Sequence, residues 1–152
     1  MGVIPGSVHG TLAGGATPGS ACAGPASGFA VPRMQKINLA EKLGLFSEHW
    51  SPKIIAALNG QHVKLVKFRG EFVWHQHENE DELFLVVQGG FRMEFRDRMV
   101  PLTAGEMLVV PRGTEHRPVA EEEVSVLLFE PAATVNTGDA GGARTVAQPD
   151  WI

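Results

Sequence analysis

A two-residue alternation is the clearest hydrophobic pattern in the chain. Phe91, Met93 and Phe95 alternate with Arg92, Glu94 and Arg96, the period of a strand with one face buried. Short apolar segments at similar spacing predict further strands over 54–58, 62–69, 71–77, 83–88, 106–110 and 124–129. Asn59-Gly60 is a strong hairpin signal, Gly70 and Gly89-Gly90 interrupt the runs, and Asp97-Arg98 and Pro111-Arg112-Gly113 supply turns. Ahead of the strands, Asn38 with Glu41 three residues on, followed by Leu43, Leu45 and Phe46, predicts a short helix over 39–45 ending near Gly44. Trp50 and Pro52 mark a connection. Many short strands at regular spacing predict an all-β sandwich or barrel.

Composition divides the chain near residue 33. Residues 1–33 hold eight of the 18 glycines and four of the 10 prolines, with no acidic residue. Such a segment has little apolar surface to offset its chain entropy and is expected to be a disordered leader, an extension ahead of Met34. The expected domain is 34–152, with a barrel core over about 50–130 and an irregular tail over 131–152 that Trp151 and Ile152 can dock. Absence of an internal repeat argues for one barrel.

The 152 residues carry a net charge of −4 with 20% charged side chains. Basic residues are scattered, so no electrostatic footprint for nucleic acid exists. No apolar stretch reaches the ~18–20 residues of a membrane span. With one cysteine, Cys22, an internal disulfide is impossible, which fits a cytoplasmic protein.

Chemistry concentrates in two stretches. On a strand, residues i and i+2 share a face about 6.6–6.8 Å apart at the backbone, so His75 and His77 point the same way and can converge on one ion. Val73 shares that face; Phe72 and Trp74 take the other, against the opposite sheet or a partner. An isolated His-x-His pair is most often surface sequence, and the carboxylates Glu78, Glu80 and Asp81 read as a solvated turn. Glu82 differs because it adjoins the apolar run that carries Phe84 and Val86, where an unpaired carboxylate is costly. Downstream, a strand and a Pro-x-Gly turn lead into His116, a third nitrogen donor.

These stretches resemble the two signature motifs of the cupin superfamily. Gly70, His75, His77, Glu82 and Gly89 take the places of the first motif, and Gly105, Pro111, Gly113 and His116 those of the second. Four residues rather than five separate Gly70 from His75, and Ala120 stands where the family often has asparagine, a position that is not a ligand. The resemblance implies a double-stranded β-helix, the jelly-roll barrel, with His75, His77, Glu82 and His116 ligating one metal. Three nitrogens and one oxygen suit divalent Fe, Mn, Ni, Cu or Zn and leave coordination positions open.

Family likeness leaves two functions. One is a metal-dependent enzyme acting on a small organic molecule, of oxygenase or isomerase type. The other is a non-catalytic module that binds a small ligand or stabilises a partner. There is no tyrosine, and His62 and Glu115 are the nearest further acid/base candidates. Met93, Met99 and Met107 read as core or rim fillers, Arg92, Arg96 and Arg98 as a solvated strand face, and Glu121-Glu122-Glu123 as an exposed turn. Exposed strand edges and apolar outer residues point to a homodimer.

Overall fold

The computed structural model describes residues 35–152 together with Gly2, so the expected leader over 1–33 lies outside the described residues. One short helix, α1 (Leu39–Leu43), precedes seven strands: β1 (Lys53–Leu58), β2 (Gln61–Glu71), β3 (Glu82–Gln88), β4 (Gly90–Phe95), β5 (Met99–Thr103), β6 (Met107–Val110) and β7 (His116–Pro131). Every strand pairing is antiparallel. The all-β barrel with a short N-terminal helix is the architecture the sequence predicts.

Asn38 caps the helix by accepting from the amides of Ala40 and Glu41 at 3.0 and 3.3 Å, and its amide reaches Glu41 in return. The helix ends at Leu43 and is capped by Gly44, the stop the sequence predicts. At the β1–β2 turn, Asn59 and Gly60 both take positive φ (51° and 77°), as a two-residue hairpin requires.

Strand β7 organises the barrel. Its later half is hydrogen-bonded between β2 and β3, giving the order β1-β2-β7-β3-β6, while its first residues pair with β4, which carries β5 at its edge. A strand shared between two sheets closes a lumen between them. Alternation then fills that lumen: Val66 and Phe68 of β2, Phe84 and Val86 of β3, Phe91, Met93 and Phe95 of β4, and Val124, Val126 and Leu128 of β7 form one core. A second cluster lies on the outer face of β1, β2 and β7, where Leu43 and Phe46 pack on Ile55 and Leu65.

Several expectations need correction. Residues 71–77 do not form a strand: β2 runs across Gly70 to Glu71, Phe72 still donates to the Pro118 carbonyl at 3.0 Å, and the chain then leaves β7 until His75 bridges His116. Phe72 therefore escapes the alternation and lies in the core rather than opposite His75. Strand β5 was not anticipated; its Pro101 fits because β5 pairs only with β4 and is an edge. Glu121, Glu122 and Glu123 are exposed as expected, but they sit within β7, where the register with β2 shifts between Phe68 and Gly70. Of the methionines expected as core or rim fillers, Met93 is buried in the core, while Met99 and Met107 are 65% and 62% exposed on short edge strands.

Beyond β7 the chain runs without helix or strand, yet it is anchored throughout. Ile54 donates to the Asp150 carbonyl at 2.8 Å and Ile152 to the Ile54 carbonyl at 3.1 Å. Asp139 donates to the Gln76 carbonyl and accepts from the Gln76 amide through its carboxylate, at 3.1 and 3.0 Å. The tail is thereby laid across the segment that carries His75 and His77.

Candidate metal centre

His75 and His116 exchange both backbone hydrogen bonds, at 3.1 and 2.9 Å, although they belong to segments forty residues apart. Residues so paired face the same side, and their imidazoles lie 4.3 Å apart, centre to centre. Gly113 in the Pro111-Arg112-Gly113 turn donates to the His77 carbonyl at 2.7 Å, which fixes the second imidazole 5.2 Å from the first. Glu82, the first residue of β3, completes the group. One donor atom from each of His75, His77, Glu82 and His116 lies within 4.8 Å of the other three, and all four side chains are buried. The structure thus brings together the whole predicted set. Glu78 and Asp81 stay exposed, and Asp81 is tied to Arg112.

The donors are pre-oriented for a cation. The Nδ1 atoms of His75 and His116 lie 3.0 and 2.8 Å from the carbonyls of Val73 and Thr114. Each ring must donate there, which leaves the Nε2 lone pair facing inward. The Nε2 atoms of His77 and His116 approach Glu82 Oε2 at 3.1 and 3.2 Å, but none of the three atoms has an aligned hydrogen-bond partner. Buried polar atoms left unpaired are costly. Three of them aimed at one point are what a bound divalent ion would satisfy, and the nitrogen and oxygen donors fit such an ion.

Electrostatics around the cluster set burial against the neighbouring charges. Burial, helped by the neighbouring His116, pulls the His75 imidazole down to about 4. Burial also acts to lower His77, but the adjacent Glu82 carboxylate outweighs it and raises that imidazole above its ordinary value. For Glu82, burial works upward, but His116 and His77 beside it prevail and hold it below the usual carboxylate range. An ion entering the cluster competes with the proton on His77, since only neutral imidazole ligates. Affinity should therefore fall about tenfold per pH unit below the His77 value, where one proton is displaced. His75, already neutral above its lowered value, adds nothing to that slope until stronger acid. Competition with a chromophoric chelator from about pH 8 to about pH 5 measures it, and a flat profile would contradict proton displacement.

Sequence reasoning missed what lies behind and before these donors. Behind Glu82 is a buried pair, Lys64 Nζ to Glu130 Oε1 at 2.6 Å, each side chain only 1% exposed. Burial and the Glu82 charge push the Glu130 carboxyl up to about 8, while the Lys64 ammonium works against them. The signal was present, since Glu130 continues the inward series Val124, Val126, Leu128, and Lys64 precedes Val66 and Phe68 in the same period.

Before the donors opens a pocket whose polar side chains are His75, Glu82 and Asn136. Its remaining wall is apolar, with Trp50 stacked on Phe68 and Phe72 at 4.6 and 4.8 Å. Trp50, which the sequence marked only as a connection, adopts φ +61°, uncommon for a bulky residue. Its amide donates to Lys67 and its indole to the Arg69 carbonyl, which holds the ring over the pocket. Phe72 meets His75 edge-on at 5.3 Å. The further acid/base candidates are elsewhere: His62 lies beside Trp151, and Glu115 is bound at the surface by Arg96 at 2.7 and 2.6 Å. Trp74 faces outward beneath Arg96 and Arg117.

Comparison with known proteins bears on the fold and the family. The family model of the Cupin domain matches residues 62–130. A cupin-2 domain containing protein from Shewanella frigidimarina is 49% identical and superposes with a TM-score of 0.62 over 62% of this chain and 93% of its own. A Neisseria meningitidis protein is 35% identical with a TM-score of 0.60, over 64% of this chain and all of its own. An uncharacterised Bacillus subtilis protein, YdbB, is 41% identical over 64 residues, 41% of this chain; the match spans 57% of that curated relative.

Proposed function

The chain belongs to the cupin superfamily, and from that premise we propose that it is a metal-dependent enzyme acting on a small organic molecule, with the ion held by His75, His77, Glu82 and His116. The observation that carries this is the set of unpaired donor atoms, His77 Nε2, His116 Nε2 and Glu82 Oε2, converging at the wall of an apolar pocket. When bound, a divalent Fe, Mn, Ni, Cu or Zn ion supplies Lewis acidity or oxygen activation, of the isomerase or oxygenase kind.

The chain's own residues do the rest. His75 forms part of the pocket wall, so a molecule in the pocket lies beside the donor cluster. Trp50, Phe68 and Phe72 exclude water and hold an apolar body flat. Cytoplasmic action as a homodimer completes the proposal; Met107 and Val109 on the β6 edge are exposed apolar side chains suited to a second copy.

The second reading, a metal-bearing module that binds without turnover, draws on one observation. Among the described residues, the pocket offers no titratable side chain beyond the donor set itself. Element analysis of protein purified without a metal-affinity column, followed by turnover screening with each ion loaded, separates the two. Stoichiometric metal with turnover is the expected result. Stoichiometric metal with saturable binding and no turnover would favour the module, and absence of metal at every loading would overturn both.

A further inference from the structure

We propose that Arg144 is the anion-recognition residue of the pocket, and that the molecule admitted is a small organic oxyanion, a carboxylate or phosphate ester, on a flat apolar body. This rests on the proposal that the donor cluster serves a small-molecule site, and it names the class of that molecule.

The first observation is charge pairing. Arg69, Arg92, Arg96, Arg98, Arg112 and Arg117 each have a carboxylate within 4.0 Å, and Arg144 has none among the described residues. A solvated surface arginine can be unpaired without consequence, so its position decides. The Arg144 guanidinium lies 5.5 Å from the centre of the Trp50 ring and 5.8 Å from that of Phe72, two of the aromatic residues that line the pocket. Phe72 in turn meets His75, so a single ring separates the guanidinium from the donor cluster.

The second observation is preorganisation. Asn136, the one amide side chain on the pocket wall, donates to the Arg144 carbonyl at 2.9 Å and accepts from the Val146 amide at 2.8 Å, clamping the backbone that follows Arg144. Thr137 and Thr145 join their hydroxyls at 2.8 Å beside it. One terminal nitrogen of the guanidinium donates to the Glu71 carbonyl, and its remaining N–H groups have no partner among the described residues. A guanidinium has five donors in a planar fork that matches carboxylate and phosphate oxygens. Fixing its stem in advance reduces the entropy lost when an anion is captured. Cation–π contact with Trp50 and Phe72 holds the same exposed group beside the apolar part of the pocket wall, so a fitting molecule carries its charge at one end and a flat apolar part behind it.

The test is calorimetric titration of zinc-loaded protein with phenylacetate, benzyl phosphate and the neutral phenylacetamide. Arg144→Gln should weaken binding of the preferred anion about 10- to 100-fold, the scale of a charge-assisted hydrogen bond, and leave the amide unchanged. Arg144→Lys should recover part of that loss, which a purely packing role would not allow. The phosphate and carboxylate arms tell which oxyanion is preferred. Equal binding of both anions by wild type and Arg144→Gln overturns the proposal, as does equal loss of the amide or no saturable anion binding at millimolar concentrations. Repeating the titration on chelator-treated protein keeps the two proposals apart. Anion preference that persists there, in a protein that takes up no metal, supports Arg144 and fails only the metal assignment.

Discussion

His116→Ala is expected to abolish stoichiometric metal while leaving a folded barrel. The imidazole is 1% exposed, yet the contacts that hold the segment are made by backbone: His116 exchanges two hydrogen bonds with His75, and it is the first residue of β7, paired with Phe95. Removing the side chain deletes an inward Nε2 that has no hydrogen-bond partner, gives up the local Nδ1 bond to the Thr114 carbonyl, and leaves those backbone bonds in place. Loss of partners that merely orient a ligand typically costs 10–100-fold in metal affinity, so loss of a ligand should exceed about 100-fold. Melting curves give a second readout. Metal at about a thousand times its Kd should stabilise the wild type by about 4 kcal/mol, and the variant should show almost no shift. His75→Ala should behave alike. Full metal retention in both variants would remove these residues from the donor set.

The sequence disclosed this cluster unevenly, for identifiable reasons. His75 and His77 share a face at i and i+2, and that relation survived although residues 72–81 are not a regular strand. It survived because the His75–His116 bridge and the Gly113-to-His77 hydrogen bond replace the missing ladder. Glu82 is singled out from Glu78, Glu80 and Asp81 mainly by the family resemblance, supported by its place at the start of an apolar run, and β3 does begin at Glu82. Barrel-facing positions on β3, β4 and the end of β7 followed the two-residue period. The first half of β7 did not show, because three consecutive glutamates read as a turn, whereas the strand absorbs them where its register with β2 shifts. Alternation carried past Glu71, where β2 ends, puts Phe72 opposite His75, whereas it lies in the core. Trp50, Asn136 and Arg144 carry no periodic signal at all. Their placement depends on contacts between the two ends of the described chain, which spacing along the sequence does not encode.

The tail supplies the second large expected effect, through Gly138→Ala. A Cβ on Gly138 would stand 2.1 Å from the Gln76 carbonyl oxygen and 3.3 Å from Cε1 of His77, and the residue's φ is +48°. The first distance is far inside contact and the obstacle is backbone, so either the tail lifts or the His75–His77 segment moves. Overpacking of this kind costs about 1–3 kcal/mol, and the left-handed backbone adds about 1–2 kcal/mol for a residue with a Cβ. For a domain of this size the melting temperature should fall by several degrees. Displacing the tail also disturbs the paired bonds between Asp139 and Gln76, so the neighbouring His77 loses its fixed orientation and metal affinity should weaken with stability. Gly141→Ala is the matched control: its φ is +58° but no atom lies within 4 Å of the added carbon, so it carries the backbone cost alone. The expected pattern is a modest melting shift with unchanged metal affinity in Gly141→Ala, against losses of both in Gly138→Ala. Similar behaviour of the two variants would show that the tail does not press on the His77 segment, and that the donor cluster holds its geometry without it.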